Sequence, residues 1–418
     1  MKKILLVGNG PLPDSDSSSK TAFQIRTAFF YQELEHAGFD VSLCLLADED
    51  QKISEKQMLI RNDIKVKSKL KKALNLYSPD LVIACNITAA SLVADLKPKI
   101  PFIADLNGWL PAEAQAEAYA AKSDALIEMQ IKKEIKILKQ ADFICCVSKA
   151  QSYATYGELA LLGVLNQSNF GKVMVTTIAN RPLLEKNSKS MARCGFIKSP
   201  SSKMILWIGS FNNWVDIETL FEGLQIAMQQ NPKLVFVSTG GNVKGLSNNY
   251  LQRFKEKIAN SQYKDRFIFL GWLKNNQLLD VYRQADLGIN CDLDCAETWF
   301  GARNRINEFL GHKIPVVSSK GSEIARTVGA YRLGVVFRSA DAKSLAKAIE
   351  TVLAEGFDQE FLANLNKYTN KKQADFNELI NFCNNPTKLA RLKSGVFARL
   401  NWYLKNKSFK DVLRKLGL

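Results

Sequence analysis

The sequence predicts an α/β protein made of two doubly wound parallel sheets that face each other across a cleft. Three observations carry this. Short continuous apolar runs alternate with amphipathic stretches along most of the 418 residues, as buried parallel strands linked by helices do. A polar stretch at residues 185–203 breaks the alternation, which then restarts. Glycine-bearing turns follow several of the runs, where such sheets bind ligands.

In the first half the strand-like runs are 4–7, 41–45, 81–85, 102–104, 143–147 and 173–178, with helical stretches at 21–37 and 113–139. In the second they are 204–208, 234–238, 267–270, 287–290, 315–318 and 334–337. Helices are expected there at 217–229, 249–259, 276–285, 304–310, 322–328 and 342–354. The expected domains are therefore 1–185 and 186–360, a helix at 361–385 that returns to the first domain, and a basic helical tail at 386–418.

Composition narrows the function classes. With 46% apolar and 23% charged residues and 11 Pro, collagen-like and disordered chains are excluded. The longest apolar runs are about five residues against the roughly 20 a spanning helix needs. The opening run stops at Val7, too short for a secretory signal, so a cytoplasmic location is expected. Cys291 and Cys295 lack a second Cys pair or a nearby His, and two histidines in the chain do not make a histidine-rich metal site. Net charge is +16, and residues 388–418 carry nine Lys/Arg against Asp411 alone. A smaller basic cluster occupies 65–72. Such asymmetry points to a polyanionic surface as partner.

Four segments carry candidate chemistry. Gly8-Asn9-Gly10 follows the first strand, where glycines let backbone N–H groups approach an anion or sugar; a plain tight turn fits equally well. The dinucleotide fingerprint is not completed by Leu12-Pro13. Val237-Ser-Thr-Gly-Gly241 offers Gly240 and Gly241 as a second point of close approach. Gly271, Trp272 and Leu273 follow another strand, where a flat aromatic and exposed amides can hold a nucleobase or Trp272 can fill the core. The fourth segment runs from Cys295 to Val317. Arg303 and Arg305 sit at the start of a helix, where dipole and guanidinium both favour a diphosphate. Glu308, one turn beyond Arg305, can accept hydrogen bonds from two ribose hydroxyls, or form an exposed i,i+3 pair with it. Gly311 is the expected cap of this helix.

This fourth segment resembles the nucleotide-sugar motif of the large retaining glycosyltransferase family with the GT-B fold and a Glu-x7-Glu signature. The likeness lies in Glu-Phe-Leu-Gly-His-Lys-Ile-Pro-Val-Val, with Glu308 on the second glutamate. It is most similar to a bacterial, family 4-like branch reading Glu-Thr-x-Phe, a basic pair, an acidic residue and a Pro-Val-Val close. Gly209-Ser-Phe-Asn-Asn-Trp-Val-Asp216, Gly271-Trp-Leu273, Asp105-Leu-Asn-Gly108, Ala141-Asp142, Val147-Ser148 and Asn180-Arg-Pro182 also fit that branch. Two features depart from it. Ten residues separate Glu297 from Glu308, and the loop from Gly209 to Asp216 holds no cation.

The resemblance implies two Rossmann-like domains, the first on the acceptor side and the second holding a nucleotide-sugar donor. Donor contacts would fall on Gly8, Gly10, Gly209, Asn213, Gly240, Gly241, Gly271, Trp272, Leu273, Arg305 and Glu308. Arg303 and Arg305 would neutralise the diphosphate, and Glu297 would take the part of the first glutamate. Asp105 and Asn107, expected to face the cleft, would stabilise an oxocarbenium-like transition state. No general base is assignable, so the leaving phosphate would take the acceptor proton. Asp292-Leu-Asp294 reads as the metal-binding Asp-x-Asp of another glycosyltransferase fold, but its setting in a two-lobed sheet argues against a metal, and no cofactor is expected. The implied reaction is retaining, metal-independent transfer to a saccharide or lipid-linked acceptor in bacterial surface polysaccharide or glycan assembly. A non-catalytic sugar- or nucleotide-binding partner and a nucleotide-sugar epimerase are the alternatives.

In the tail, Leu389, Leu392, Val396, Leu400, Tyr403 and Leu404 recur at three and four. Arg399, Lys405, Lys407 and Lys410 accompany Trp402 and Tyr403. A basic amphipathic helix with aromatics binds an anionic membrane surface, here the inner face of the cell membrane; the same helix could pack on the catalytic body. No nucleic-acid module is recognisable, and nucleic acid is not an expected partner.

Overall fold

A computed structural model describes residues 1–13, 21–180, 201–241, 249–355, 359–371, 376–391 and 414. The first domain is built on β1 (Lys3–Asn9), β2 (Asp40–Ala47), β3 (Gln51–Ser54), β4 (Gln57–Arg61), β5 (Leu81–Cys85), β6 (Phe102–Leu106), β7 (Phe143–Cys146) and β8 (Val175–Thr177). They form one sheet in the order β3-β4-β2-β1-β5-β6-β7-β8, parallel except where β3 meets β4. Its helices are α1 (Ala22–His36), α2 (Val66–Tyr77), α3 (Ile87–Leu96), α4 (Leu110–Ala121), α5 (Ile127–Gln140) and α6 (Lys149–Leu161). Along β1, Leu5 and Val7 enter one apolar cluster while Ile4 and Leu6 enter another. The period of two puts successive side chains on opposite faces, and both faces are covered.

The second sheet takes β9 (Lys203–Trp207), β10 (Leu234–Thr239), β11 (Phe267–Gly271), β12 (Leu287–Asn290), β13 (Val316–Ser319) and β14 (Gly334–Phe337) in the order β11-β10-β9-β12-β13-β14, all parallel. Helices α7 (Ile217–Gln230), α8 (Tyr250–Ala259), α9 (Asn275–Tyr282), α10 (Ala296–Phe300), α11 (Asn304–Gly311), α12 (Glu323–Ala330) and α13 (Ala342–Glu355) surround it. Ile205 and Trp207 face one cluster and Met204, Leu206 and Ile208 the other. Several helix starts follow from a polar side chain at the cap: Thr21 with Gln24, Ser148, Asp216 and Ser322 each accept a backbone N–H of the first turn.

The structure adds to the expected elements and corrects some. The helical stretch 113–139 is two helices, interrupted after Lys122 adopts φ 51° at the end of α4. The strands β3 and β4 and the helices α2, α3 and α6 were not anticipated. The basic cluster 65–72 overlaps α2 and is partly neutralised within the chain, Lys67 by Asp95 at 2.7 Å and Lys69 by Asp50 and Asp63 at 2.7 and 3.0 Å. Gly311 stays helical, and the left-handed residue is Lys313 (φ 60°).

The second body continues past residue 360. Helix α14 (Gln359–Lys371) buries Phe361, Leu365 and Tyr368 in the second domain. Helix α15 (Asn377–Asn384) buries Leu379 and Cys383 in the first, and Phe376 meets Phe29 and Phe30 at 5.1 and 5.3 Å. The start of the tail is anchored there too. Lys388 and Arg391 pair with Asp142 at 2.8 and 3.1 Å, the Leu389 N–H donates to the same carboxylate, and the Leu389 side chain joins the core. Arg399, Trp402, Tyr403, Lys405, Lys407 and Lys410 lie outside the described residues, as do residues 181–200, which include most of the linker.

Candidate active site between the two sheets

At the carboxyl edge of the second sheet three turns meet. Gly209, Gly240 and Gly271 follow β9, end the β10 turn and close β11, with φ of 80°, 92° and 67°. The Gly240 N–H donates to the Gly271 carbonyl at 2.7 Å, and a Cβ on Gly240 would lie 2.6 Å from the Gly209 carbonyl oxygen. Close backbone approach and positive φ both require glycine at 240. Trp272 stands beside them, 51% exposed, its Nε1 near Gly241. It is not core.

Arg305 holds this edge together. Its Nε and Nη2 donate to the carbonyls of Ile208 and Ser210 at 3.0 and 2.8 Å, clamping both sides of Gly209. Nη1 reaches Asn290 at 3.3 Å, and the guanidinium lies 3.6 Å from the centre of the Trp207 ring. Burial lowers its pKa to about 10. Three of its five N–H groups are thus directed inward. Glu308 sits one turn along α11 and is half-buried. Oδ1 atoms of Asn213, Asp292 and Asn307 are buried on the same framework without a hydrogen-bond partner among the described residues.

Arg303 corrects an expectation. It is buried, with Nε donating to Asp292 at 2.5 Å and its two Nη groups forking onto Glu297 at 3.0 and 2.6 Å. Burial lowers the guanidinium pKa, and the two carboxylates more than reverse that. Burial raises the pKa of Glu297 although Arg303 opposes it. The pair Arg303 and Glu297 is an internal clamp between β12, α10 and α11. Asp294 accepts instead from the Trp299 indole at 2.6 Å, so the two aspartates of the Asp-x-Asp tripeptide serve different partners. Among the described residues no group of three or more His, Cys, Asp or Glu is placed to hold a metal ion.

The first domain presents asparagines. Asn9, Asn86, Asn107 and Asn180 follow or end β1, β5, β6 and β8. The Asn86 amide donates to Asn9 at 3.2 Å, Asn107 to Asn86 at 3.1 Å, and Asn180 to Asn107 at 3.5 Å and to Asn304 at 2.5 Å. Asn304 belongs to α11, so the row crosses from one domain to the other. Asn107 is in this row as a half-buried member. Asp105 is not exposed at all: Arg26, equally buried, binds both its oxygens at 3.1 and 2.7 Å and holds Asn180 at 3.0 Å. The expectation that Asp105 faces the cleft fails because a cation 79 positions away occupies it. Gly8 and Gly10 lie against Thr27 and Leu45, whose side chains fill the space a Cβ would need, so these glycines serve packing.

Direct contacts join the domains here. Trp109 packs on Phe300 with ring centres 4.4 Å apart, Ser148 donates to the Phe300 carbonyl at 2.7 Å, and the Lys149 N–H donates to Glu323 at 2.8 Å. One carboxyl in this region escaped sequence reasoning. Glu113, on the first turn of α4, lies against the Gly108 turn (φ 125°), where it fills the position of a Cβ. It is half-buried. Desolvation, Glu297 and Glu117 raise its pKa to about 8 against the pull of Arg303. No sequence pattern marks it, since Glu297 and Arg303 come to it from the other domain.

A family model described as Glycosyl transferases group 1 matches residues 202–355, the second domain. No curated protein matches the sequence. Among solved structures, a sucrose-phosphate synthase from Thermosynechococcus elongatus is similar at 18% identity and TM-score 0.63, covering 92% of this chain and 98% of that one. An α,α-trehalose-phosphate synthase (UDP-forming) from Burkholderia vietnamiensis is similar at 12% identity and TM-score 0.62, covering 92% and 98%. HepE of Anabaena, solved with UDP-glucose, is similar at 14% identity and TM-score 0.59, covering 91% and 97%. These likenesses establish the GT-B architecture of two facing Rossmann-like domains.

Proposed function

We propose that the protein is a glycosyltransferase that moves a sugar from a nucleoside diphosphate to a saccharide or lipid-linked acceptor, with retention at the anomeric carbon and without a metal. The observation that carries this reading is the convergence of the Gly209, Gly240 and Gly271 turns beside exposed Trp272, with Arg305 clamping Gly209 and Glu308 one turn beyond it on α11. That edge lies inside the segment matched by the glycosyl transferase family model. It offers a flat ring for a base, a carboxylate for a ribose and open backbone for a diphosphate. With Arg303 committed to Glu297 and Asp292, diphosphate neutralisation falls to the remaining N–H groups of Arg305 and to the glycine turns. That same commitment is what favours the second reading, a nucleotide- or sugar-binding partner without catalysis. UDP is the first nucleotide to test, since HepE is solved with UDP-glucose.

The acceptor role in surface polysaccharide assembly and membrane association remain parts of the proposal. Among the described residues no helix is long and apolar enough to cross a membrane. Contact with an anionic surface would rest on residues 392–418, since Lys388 and Arg391 are held by Asp142. Removing 392–418 should abolish binding to vesicles containing phosphatidylglycerol and leave the melting temperature in place; equal binding would end the membrane role.

Thermal shift against UDP, GDP, TDP, CDP and ADP tests the donor site. A ligand at a hundredfold excess over its Kd stabilises by about 2.7 kcal/mol. One base should raise the melting temperature with or without magnesium. Silence across the five would favour the binding-partner reading for another ligand, and a shift only with magnesium would contradict metal independence.

A further inference from the structure

We propose that the outer face of α6 and the loop from α6 to β8 form a docking surface that inserts apolar side chains into an anionic bilayer, an inference that deepens the membrane part of the reading above and rests on it. Single exposed apolar residues are ordinary on a protein surface, whereas a contiguous group marks an interaction site. Here they are grouped. Leu161 is 91% exposed and Phe170 92%, and Leu165 and Val173 also stand open to solvent. From Leu161 to Val173 the only charged residue is Lys172. The face continues along α6, whose exposed residues after Lys149 are Tyr153, Gly157, Ala160 and Leu161. Glu158, the one acid of that helix, accepts from the Trp109 indole at 3.0 Å. Loose packing does not account for the exposure. The same loop buries Val164 and Met174 in the core. The side-chain amides of Asn166 and Asn169 donate to the Val164 carbonyl at 3.0 and 2.8 Å, and the Tyr156 hydroxyl accepts from the N–H groups of Met174 and Val175 at 3.2 and 3.3 Å. A hydrogen-bonded frame thus holds Leu161, Phe170 and Val173 outward.

The chain beside this face indicates what covers it. The Asn166 amide also donates to the Ala390 carbonyl at 3.2 Å, and Arg391 donates to the carbonyls of Gln140 and Ala141. Residues 392–418 begin at that point and carry seven Lys/Arg against Asp411. An apolar face without acids next to a tethered cationic segment is complementary to an anionic bilayer. Headgroups attract the cations, and the Leu and Phe side chains enter the boundary between headgroups and acyl chains. Each part alone gives weak, reversible contact; together they supply the two signals that stable attachment needs. A second copy on the same face would instead bring two cationic segments together, which charge repulsion opposes. The loop enters β8 at its amino end, while the candidate active site lies at the carboxyl ends of the strands, so docking here leaves the cleft uncovered.

The test is co-sedimentation of the full chain with vesicles of phosphatidylcholine alone and of phosphatidylcholine with phosphatidylglycerol. It compares wild type, Leu161→Ser, Phe170→Ser and a control, Ile64→Ser, at a 98% exposed position between β4 and α2. Melting temperature and analytical ultracentrifugation accompany it. Wild type should bind the vesicles that contain phosphatidylglycerol. Leu161→Ser and Phe170→Ser should each lower the partition coefficient by about tenfold, at low salt as well as high, with melting temperatures equal to wild type. Ile64→Ser should bind as wild type does. Face variants that bind within about twofold of wild type overturn the inference and leave the tail as the membrane contact. An equal loss in Ile64→Ser also overturns it, since any exposed apolar area would then serve. Wild type that self-associates, and ceases to in Phe170→Ser, assigns the face to a second copy and overturns it as well. If wild type binds neither vesicle, the membrane reading has failed and this inference goes with it, while the donor-site reading stands on its own tests.

Discussion

The Asn180 amide of the first domain donates to the side-chain oxygen of Asn304, the first residue of α11 in the second. The other N–H of Asn180 goes to Asn107, and its oxygen accepts from Arg26. One side chain thereby links the buried Arg26–Asp105 pair to the helix that carries Arg305 and Glu308. A hydrogen bond of this kind contributes about 0.5–1.5 kcal/mol. A double-mutant cycle of Asn180→Ala and Asn304→Ala, read by urea unfolding, should give a coupling energy in that range; strict additivity would mean the contact carries no energy.

Arg303 is the hinge of a buried ionic triad, not a surface cation. Removing one partner of such a group leaves uncompensated buried charge and costs about 3–5 kcal/mol. Arg303→Ala should lose stability on that scale in denaturant unfolding. A variant of unchanged stability whose only defect is nucleotide affinity would contradict the triad.

Gly240 couples two turns of the donor edge. Alanine there must clear the Gly209 carbonyl from 2.6 Å and hold φ 92°, a strain of about 1–3 kcal/mol. Gly240→Ala should lower the melting temperature and weaken nucleotide binding together. Gly38, also at positive φ but with open space around its Cβ position, is the control that should leave binding unchanged.

Glu134 of α5 is buried with neither oxygen hydrogen-bonded among the described residues, and desolvation holds its pKa well above the usual carboxylate range. Folded chain keeps the proton that unfolded chain releases above about pH 4.3. Its contribution to stability is therefore fully present below that pH and is lost as pH rises toward the folded pKa. Glu134→Met removes the unpaired group, so stability at pH 7.5 should rise by about 1–3 kcal/mol and the decline from pH 5 to 8 should flatten. A variant with the wild-type slope would show that other groups set the pH dependence.

Much of the fold was legible because the strands are buried on both faces and read as continuous apolar runs, from Leu5 and Val7 to Val316 and Val317. The edge strand β3 was not, since it is exposed throughout and carries no apolar run, and β4 beside it offers only Met58, Leu59 and Ile60. Gly209, Gly240 and Gly271 were legible as turns because positive φ selects glycine. Asp105 and Arg303 were placed at the right strand and helix ends but given the wrong neighbours. Residue type shows that a charge is present; which opposite charge claims it depends on packing between segments far apart in the chain. Glu113 was invisible for the same reason, as Glu297 and Arg303 reach it only when the two domains meet.

The most direct test of the account is proton NMR of the purified full chain with UDP-glucose, extended to the other four nucleoside diphosphate glucoses, following the anomeric signals over time. The account predicts loss of the donor signal, release of the nucleoside diphosphate and, at early times, product whose anomeric configuration is that of the donor. A donor left intact by a protein that binds the nucleotide, or one converted to a second nucleotide sugar without release, would contradict it.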